Sequence, residues 1–252
     1  MDLGIAGRRA AVAASSGGLG LACAQALAAA GVRVAICGRN EARVHEALAT
    51  LLRAPTGDHL AVVADVSNVG GAEGFVQQAA RELGGIDILV PNAGGPPAGD
   101  FASTPMEAYL PALELNLLST VAMCHAAVPA MIDAGWGRVI AITSSSVRQP
   151  IPNLILSNTA RAGATGFLKT LSGEVARHGI TVNSVQPGLH ATDRLLHLHG
   201  DDTSGLARDI PTRTIGRPED FGEVVAFLCS DHARYINGAA IPVDGGASLG
   251  LQ

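Results

Sequence analysis

Residues 11–20 read AVAASSGGLG, follow Gly7-Arg8-Arg9-Ala10 and lead into LACAQALAAAG. A short apolar run, a Ser/Gly turn and an Ala/Leu-rich run predict strand, tight turn and helix in that order. Such a turn aims the first free backbone N–H groups of the helix, and the positive end of its dipole, at whatever sits above it. That is an anion site suited to a phosphate. Ser15, Ser16, Gly18, Leu19 and Gly20 are its candidate cofactor contacts. The G-x-G-x-x-G fingerprint itself is absent; Ala13-Ala14-Ser15-Ser16-Gly17-Gly18-Leu19-Gly20 stands in its place.

Outward from this stretch, short β-branched runs alternate with longer Ala/Leu-rich ones. Residues 32–37 (VRVAIC), 59–64 (HLAVVA), 86–90, 138–143 (RVIAIT), 181–186 (TVNSVQ) and 239–243 read as further strands. Residues 41–53, 69–83, 157–178 and 218–230 read as helices. A long helical stretch over 106–132 is expected to kink or break at Pro111 and Pro129. Gly84-Gly85 stops the second of these helices, and Pro218 opens the last. Alternation of this kind, with right-handed crossovers, predicts an α/β fold: a three-layer, doubly wound parallel sheet of about seven strands, the Rossmann arrangement. No linker, repeat or low-complexity tract divides the chain, so residues 1–252 are expected to form one dinucleotide-binding domain. Residues 190–217, with Gly200, Gly205, Pro211 and Gly216, are irregular and read as a substrate-loop region.

Composition agrees. Of 252 residues 48% are hydrophobic and only 15% charged, which suits a sheet covered on both faces. Aromatics are 3%, so the core must be Ala, Val, Leu and Ile. A net charge of -5 with no long basic run points away from nucleic acid. Cys23, Cys37, Cys124 and Cys229 lie far apart in apolar runs, and read as buried free thiols of a reducing compartment. The apolar run after Arg8-Arg9 is too short for a secretory signal. No uncharged apolar stretch of ~20 residues reads as a membrane span; the nearest, residues 117–132, contains His125 and Pro129. The expected location is cytoplasmic, with no membrane partner.

Several stretches together resemble the short-chain dehydrogenase/reductase family, near its 3-oxoacyl-acyl-carrier-protein reductases. The turn is similar to the family's T-G-x-x-x-G-x-G, with Ala13 and Ala14 where Thr and the first Gly are usual. Asp65-Val66 resembles the pair that contacts the adenine ring, and Asn92-Ala93-Gly94 the N-A-G after the fourth strand. Asn116 is similar to the helix Asn that supports the family's proton relay. Pro187-Gly188 with Thr192 resembles the loop holding the nicotinamide carboxamide, and Val243-Asp244-Gly245-Gly246 the C-terminal signature. The likeness covers nearly the whole chain. It implies a carbonyl/alcohol oxidoreductase acting on a small organic or acyl-chain substrate, and a homo-oligomer, tetramer or dimer, with a subunit contact at residues 238–246.

In that family a Tyr gives the proton, a Lys four residues later binds the nicotinamide ribose and lowers the Tyr pKa, and a Ser thirteen residues upstream of the Tyr orients the carbonyl. Here Lys169-Thr170-Leu171-Ser172 sets the register, and counting back puts Ser157 at the Tyr position and Arg161 at the Lys position. The upstream serine is Ser144, with Ser145 and Ser146 as near alternatives. The only tyrosines, Tyr109 and Tyr235, are elsewhere. Asn116, Ser144, Ser157 and Arg161 are therefore the candidate catalytic residues, with Arg161 also on the ribose. Either a water relays protons past Ser157, or His190 or a substrate group is the donor. A cofactor-binding non-redox protein, or a lyase or isomerase on this fold, is the alternative. The second strand ends Cys37-Gly38-Arg39-Asn40, with no acid for a ribose 2′-hydroxyl and Arg39 placed for a 2′-phosphate, so NADP(H) is expected over NAD(H). His197 and His199, two apart with no ligand framework around them, are not expected to hold a metal.

Overall fold

The computed structural model describes residues 1–193, 195 and 204–250. The opening stretch becomes β1 (Arg9–Val12) and α1 (Gly18–Ala29). β2 (Arg33–Gly38), α2 (Glu41–Ala49), β3 (Leu60–Val63), α3 (Val69–Leu83) and β4 (Ile88–Val90) complete the first half. After it come α4 (Tyr109–Leu113), α5 (Ser119–Ala134), β5 (Gly137–Ile142), α6 (Ile155–Val175) and β6 (Ile180–Pro187). A short helix α7 (Ser204–Ala207), then α8 (Pro218–Cys229) and β7 (Ala240–Val243), follow. Seven strands pair in parallel in the order β3-β2-β1-β4-β5-β6-β7.

Strand residues alternate between faces, so each strand feeds two cores. Ala11, Ala13, Ala35 and Cys37 pack under α3 and α5 with Leu168 and Val175 of α6. Ala10, Val12, Val34 and Ile36 pack on the other side against α1, α2 and α8. All four cysteines are buried and unbridged, and burial pushes the thiols of Cys37, Cys124 and Cys229 up to about 12. They are packing groups at neutral pH.

Local signals set most boundaries. The Asn68 side chain accepts from Gly71 N–H at 2.9 Å and starts α3, and Gly84 ends it in the left-handed conformation. Asn40 caps α2 in the same way, accepting from Arg43 N–H at 3.0 Å. That helix stops at Ala49 rather than residue 53, where the Thr50 hydroxyl donates to Ala47 O.

The expected break in the long helical stretch does not occur. Met106–Ala134 runs helical for 29 residues, and by length and composition alone is long enough to cross a membrane. Half of its most apolar window is buried in the fold, where α5 packs on α3 and β5. Pro111 lies one turn into this run, after 3₁₀ bonds such as Tyr109 N–H to Met106 O, and frees only the carbonyl of exposed Glu107. Pro129 lies inside α5 and frees only the carbonyl of exposed His125. The one distortion is a π-turn at Glu114–Leu118, centred on Asn116.

Candidate active site

The strand order reverses between β1 and β4, so chain segments leave their C-terminal ends in opposite directions and open a crevice. A cavity of about 660 Å³ lies there, floored by the glycine turn. Ser16, Gly18, Leu19 and Gly20 line it. A Cβ at Gly20 would stand 2.5 Å from Ala14 O and 2.9 Å from Asn92 Nδ2, so only glycine fits. Asn92 Nδ2 donates to Ala13 O and Ala14 O, both at 3.2 Å, and ties the turn to the end of β4. The start of α1 has no side-chain cap and no acid in its first turn, which leaves its N–H groups and dipole available to a phosphate. The donors and shape fit a dinucleotide.

The other predicted cofactor residues divide. Asn92, Ala93, Gly94, Arg161, Pro187 and Thr192 line this cavity. Ser15 does not; its buried hydroxyl donates to Val12 O at 2.6 Å and accepts from Cys37 N–H at 3.0 Å, pinning β1 to β2. Asp65 is exposed and accepts from Ser67 N–H at 3.0 Å, while the Val66 side chain is buried in the core; neither lines the cavity. Arg39 is exposed beyond β2 and also lies outside the lining. Arg43 and Asp193 line it instead. The sequence reading missed both. The signal for Arg43 was its place in the first turn of the helix that Asn40 caps.

A second cavity, about 290 Å³, adjoins the first and shares Leu19, Thr143, Arg161 and Pro187 with it. Ser144, Ser157, Gly188 and His190 line it. Of the three consecutive serines only Ser144 faces it: Ser146 is buried, and Ser145 is not in the lining. Arg161 Nη1 donates to Thr143 O at 3.0 Å and to Ile142 O at 3.3 Å, and Nη2 reaches Gly94 O at 3.4 Å. Asn116 lines neither cavity; it is buried, with Nδ2 donating to the same Gly94 O at 2.8 Å. Its buried Oδ1 has no protein partner. Asn116 thus holds the N-A-G loop on which Arg161 also rests.

His190 packs edge-on against Phe221 with ring centroids 5.2 Å apart, and its Nδ1 lies 3.2 Å from Gly188 O. Burial holds its imidazole below the usual value, against the opposing pull of the Gly188 carbonyl and Asp220. Neither Tyr109 nor Tyr235 lines either cavity. Among the described residues no group of His, Cys, Asp or Glu could hold a metal ion; His197 and His199 lie outside those residues.

The family described as enoyl-(acyl carrier protein) reductase matches residues 13–248. The human protein "Dehydrogenase/reductase SDR family member 4" is 35% identical over 248 residues, 96% of this chain and 88% of its own. L-sorbose reductase from Gluconobacter frateurii, solved with NADPH and L-sorbose, superposes with a TM-score of 0.91 at 32% identity over 100% of both chains. A 7α-hydroxysteroid dehydrogenase complexed with NADH and a 7-oxo bile acid superposes at 0.89 and 26% identity, over 100% of this chain and 98% of its own.

Proposed function

Because this chain belongs to the short-chain dehydrogenase/reductase family, we propose that it interconverts a carbonyl and an alcohol on a small organic or acyl-chain substrate with NADP(H). The observation that carries the reading is that the two cavities meet at Arg161, Thr143 and Pro187. One has the donors for a dinucleotide; the other has the serines for a carbonyl. The bound nicotinamide would supply or accept the hydride at that junction. Relatives solved with NADPH and with NADH both exist, so the choice of NADP(H) rests on Arg39 and the lack of an acid at the end of β2.

The chain's own residues then have these tasks. Gly18, Leu19 and Gly20 seat the pyrophosphate against the start of α1. In this reading Asp65 and the backbone of Val66 would meet the adenine, Pro187, Gly188 and Thr192 would hold the carboxamide, and Asn92, Ala93 and Gly94 would border the ribose and nicotinamide. Ser144 orients the carbonyl. Arg161 bonds the ribose hydroxyls and adds positive charge beside the developing alkoxide. Ser157 is too weak an acid to replace Tyr, but its small side chain leaves room for a water that carries the proton. Asn116 fixes Gly94, and with it the loop on which Arg161 rests. The missing tyrosine also favours a second reading, cofactor binding without redox chemistry or a lyase or isomerase step. We further place the chain in the cytoplasm as a homo-oligomer, with residues 190–217 shaping substrate choice.

The test is NADPH consumption by the purified protein over a panel of ketones. Turnover is expected, and Arg161→Ala should lower it about 10²-fold or more. An inert natural protein that gains turnover only as the double variant Ser157→Tyr with Arg161→Lys would overturn the reductase reading.

A further inference from the structure

We propose that Arg43 is a second cation for the 2′-phosphate of the cofactor, and that Asp193 occupies it until the phosphate binds. This deepens the NADP(H) reading and rests on it. The Asn40 cap places Arg43 in the first turn of α2, next to the end of β2. From there its side chain reaches back over the phosphate turn. A Cβ built on Gly17 would meet Arg43 Nη2 at 3.4 Å. Gly17 has φ 174° and ψ 177°, an extended conformation open to any residue. The guanidinium therefore covers the space into which a side chain at position 17 would grow.

Arg43 also lines an adjoining cavity of about 460 Å³ between α1, α2 and the start of α8, together with Ser16, Glu46, Asp193 and Glu219. It is the only cation among that cavity's described lining residues. In the main cavity the other cation is Arg161, whose carbonyl partners lie at the ends of β5 and the N-A-G loop. Arg43 thus brings positive charge to the turn from α2, while Arg39, exposed at the end of β2, is not among the residues lining either cavity.

Its carboxylate partner is Asp193 Oδ2, at 3.9 Å, with side chains 59% and 74% exposed. An exposed pair at that distance is weak and is screened by salt. A phosphate offers more charge and two oxygens to the planar guanidinium, and forms the shorter charge-assisted bonds. Phosphate should therefore displace the carboxylate. Thr192 stands beside Gly18, at 3.7 Å from the position of a Cβ there, so the exchange happens where the chain after β6 rests on the turn.

The experiment is calorimetric titration of the full chain with NADPH and with NADH. Arg43→Ala should weaken NADPH binding about tenfold or more, the worth of a lost charge-assisted pair, and leave NADH nearly unchanged. Arg43→Lys should keep part of the preference, which guards against a folding defect. Asp193→Asn should tighten NADPH binding several-fold and not NADH binding. Equal weakening of both cofactors by Arg43→Ala, or no weakening, overturns the role of Arg43; an unchanged NADPH affinity in Asp193→Asn overturns the competition. A wild-type protein that does not prefer NADPH overturns the cofactor reading itself, and shows this before any variant is made.

Discussion

At the scale of single residues, the phosphate turn carries a strain of its own. Ala14 has φ +46°, a left-handed conformation that costs a residue with a Cβ about 1–2 kcal/mol. It is held there because its N–H donates to Cys37 Sγ at 3.3 Å and its carbonyl accepts from Asn92. The resembled family has Gly at this position. Ala14→Gly relieves the strain, and the greater freedom of glycine in the unfolded chain takes back part of the gain. We expect a net stabilisation of about 0.5–1 kcal/mol and a rise in Tm of about 1–4 °C. A lowered Tm would mean that the turn is not strained at Ala14. The register set by Lys169-Thr170-Leu171-Ser172 singles out Ser157 and Arg161 in the sequence, and both line the second cavity. The sequence could not show that Ser15 turns inward, or that Arg43 rather than Arg39 reaches the cavity. Those depend on which way side chains leave β1 and α2, and a strand–turn–helix pattern does not contain that.

At the scale of elements, punctuation by caps and glycines was legible and bond-level compensation was not. Helix α3 begins and ends where Asn68 and Gly84 require. The strands were placed to within about two residues, since strand ends depend on register with neighbours. The proline rule failed at Pro111 and Pro129 for a physical reason: the carbonyls they free, at Glu107 and His125, belong to exposed residues. The π-turn at Asn116 had no sequence signal. It matters because it turns Asn116 toward Gly94 O, at 2.8 Å, and so joins α4 and α5 to the loop under Arg161. The irregular stretch 190–217 includes a short helix, Ser204–Ala207, that its composition did not announce.

At the scale of the whole molecule, one buried acid closes the N-terminal edge of the sheet. Arg9 donates to Asp87 through its backbone N–H at 2.9 Å, Nε at 2.8 Å and Nη2 at 2.8 Å, joining β1 to the start of β4. Burial alone would raise the Asp87 carboxyl, but the Arg9 bonds and charge, with Arg8 behind them, hold it below the usual carboxylate range. A lowered folded-state pKa means that the unfolded chain binds the proton more readily. The stabilisation is complete above the ordinary carboxylate value of about 3.9 and disappears as pH falls through the lower folded value. Asp87→Asn should therefore lower the urea midpoint at pH 7 by the equivalent of about 1–3 kcal/mol, with the gap to wild type narrowing at pH 3 and below; a gap that does not change with pH would assign the loss to packing. The same scale decides whether the crevice at the β1/β4 reversal is a working cofactor site. The measurement that tests this most directly is a fluorescence titration of the purified protein with NADPH, with NADH in parallel. Micromolar NADPH binding with weaker NADH binding is the expected result. Failure to bind either would contradict it, and would make Ala13, Ala14 and Arg161 the marks of a lost cofactor site.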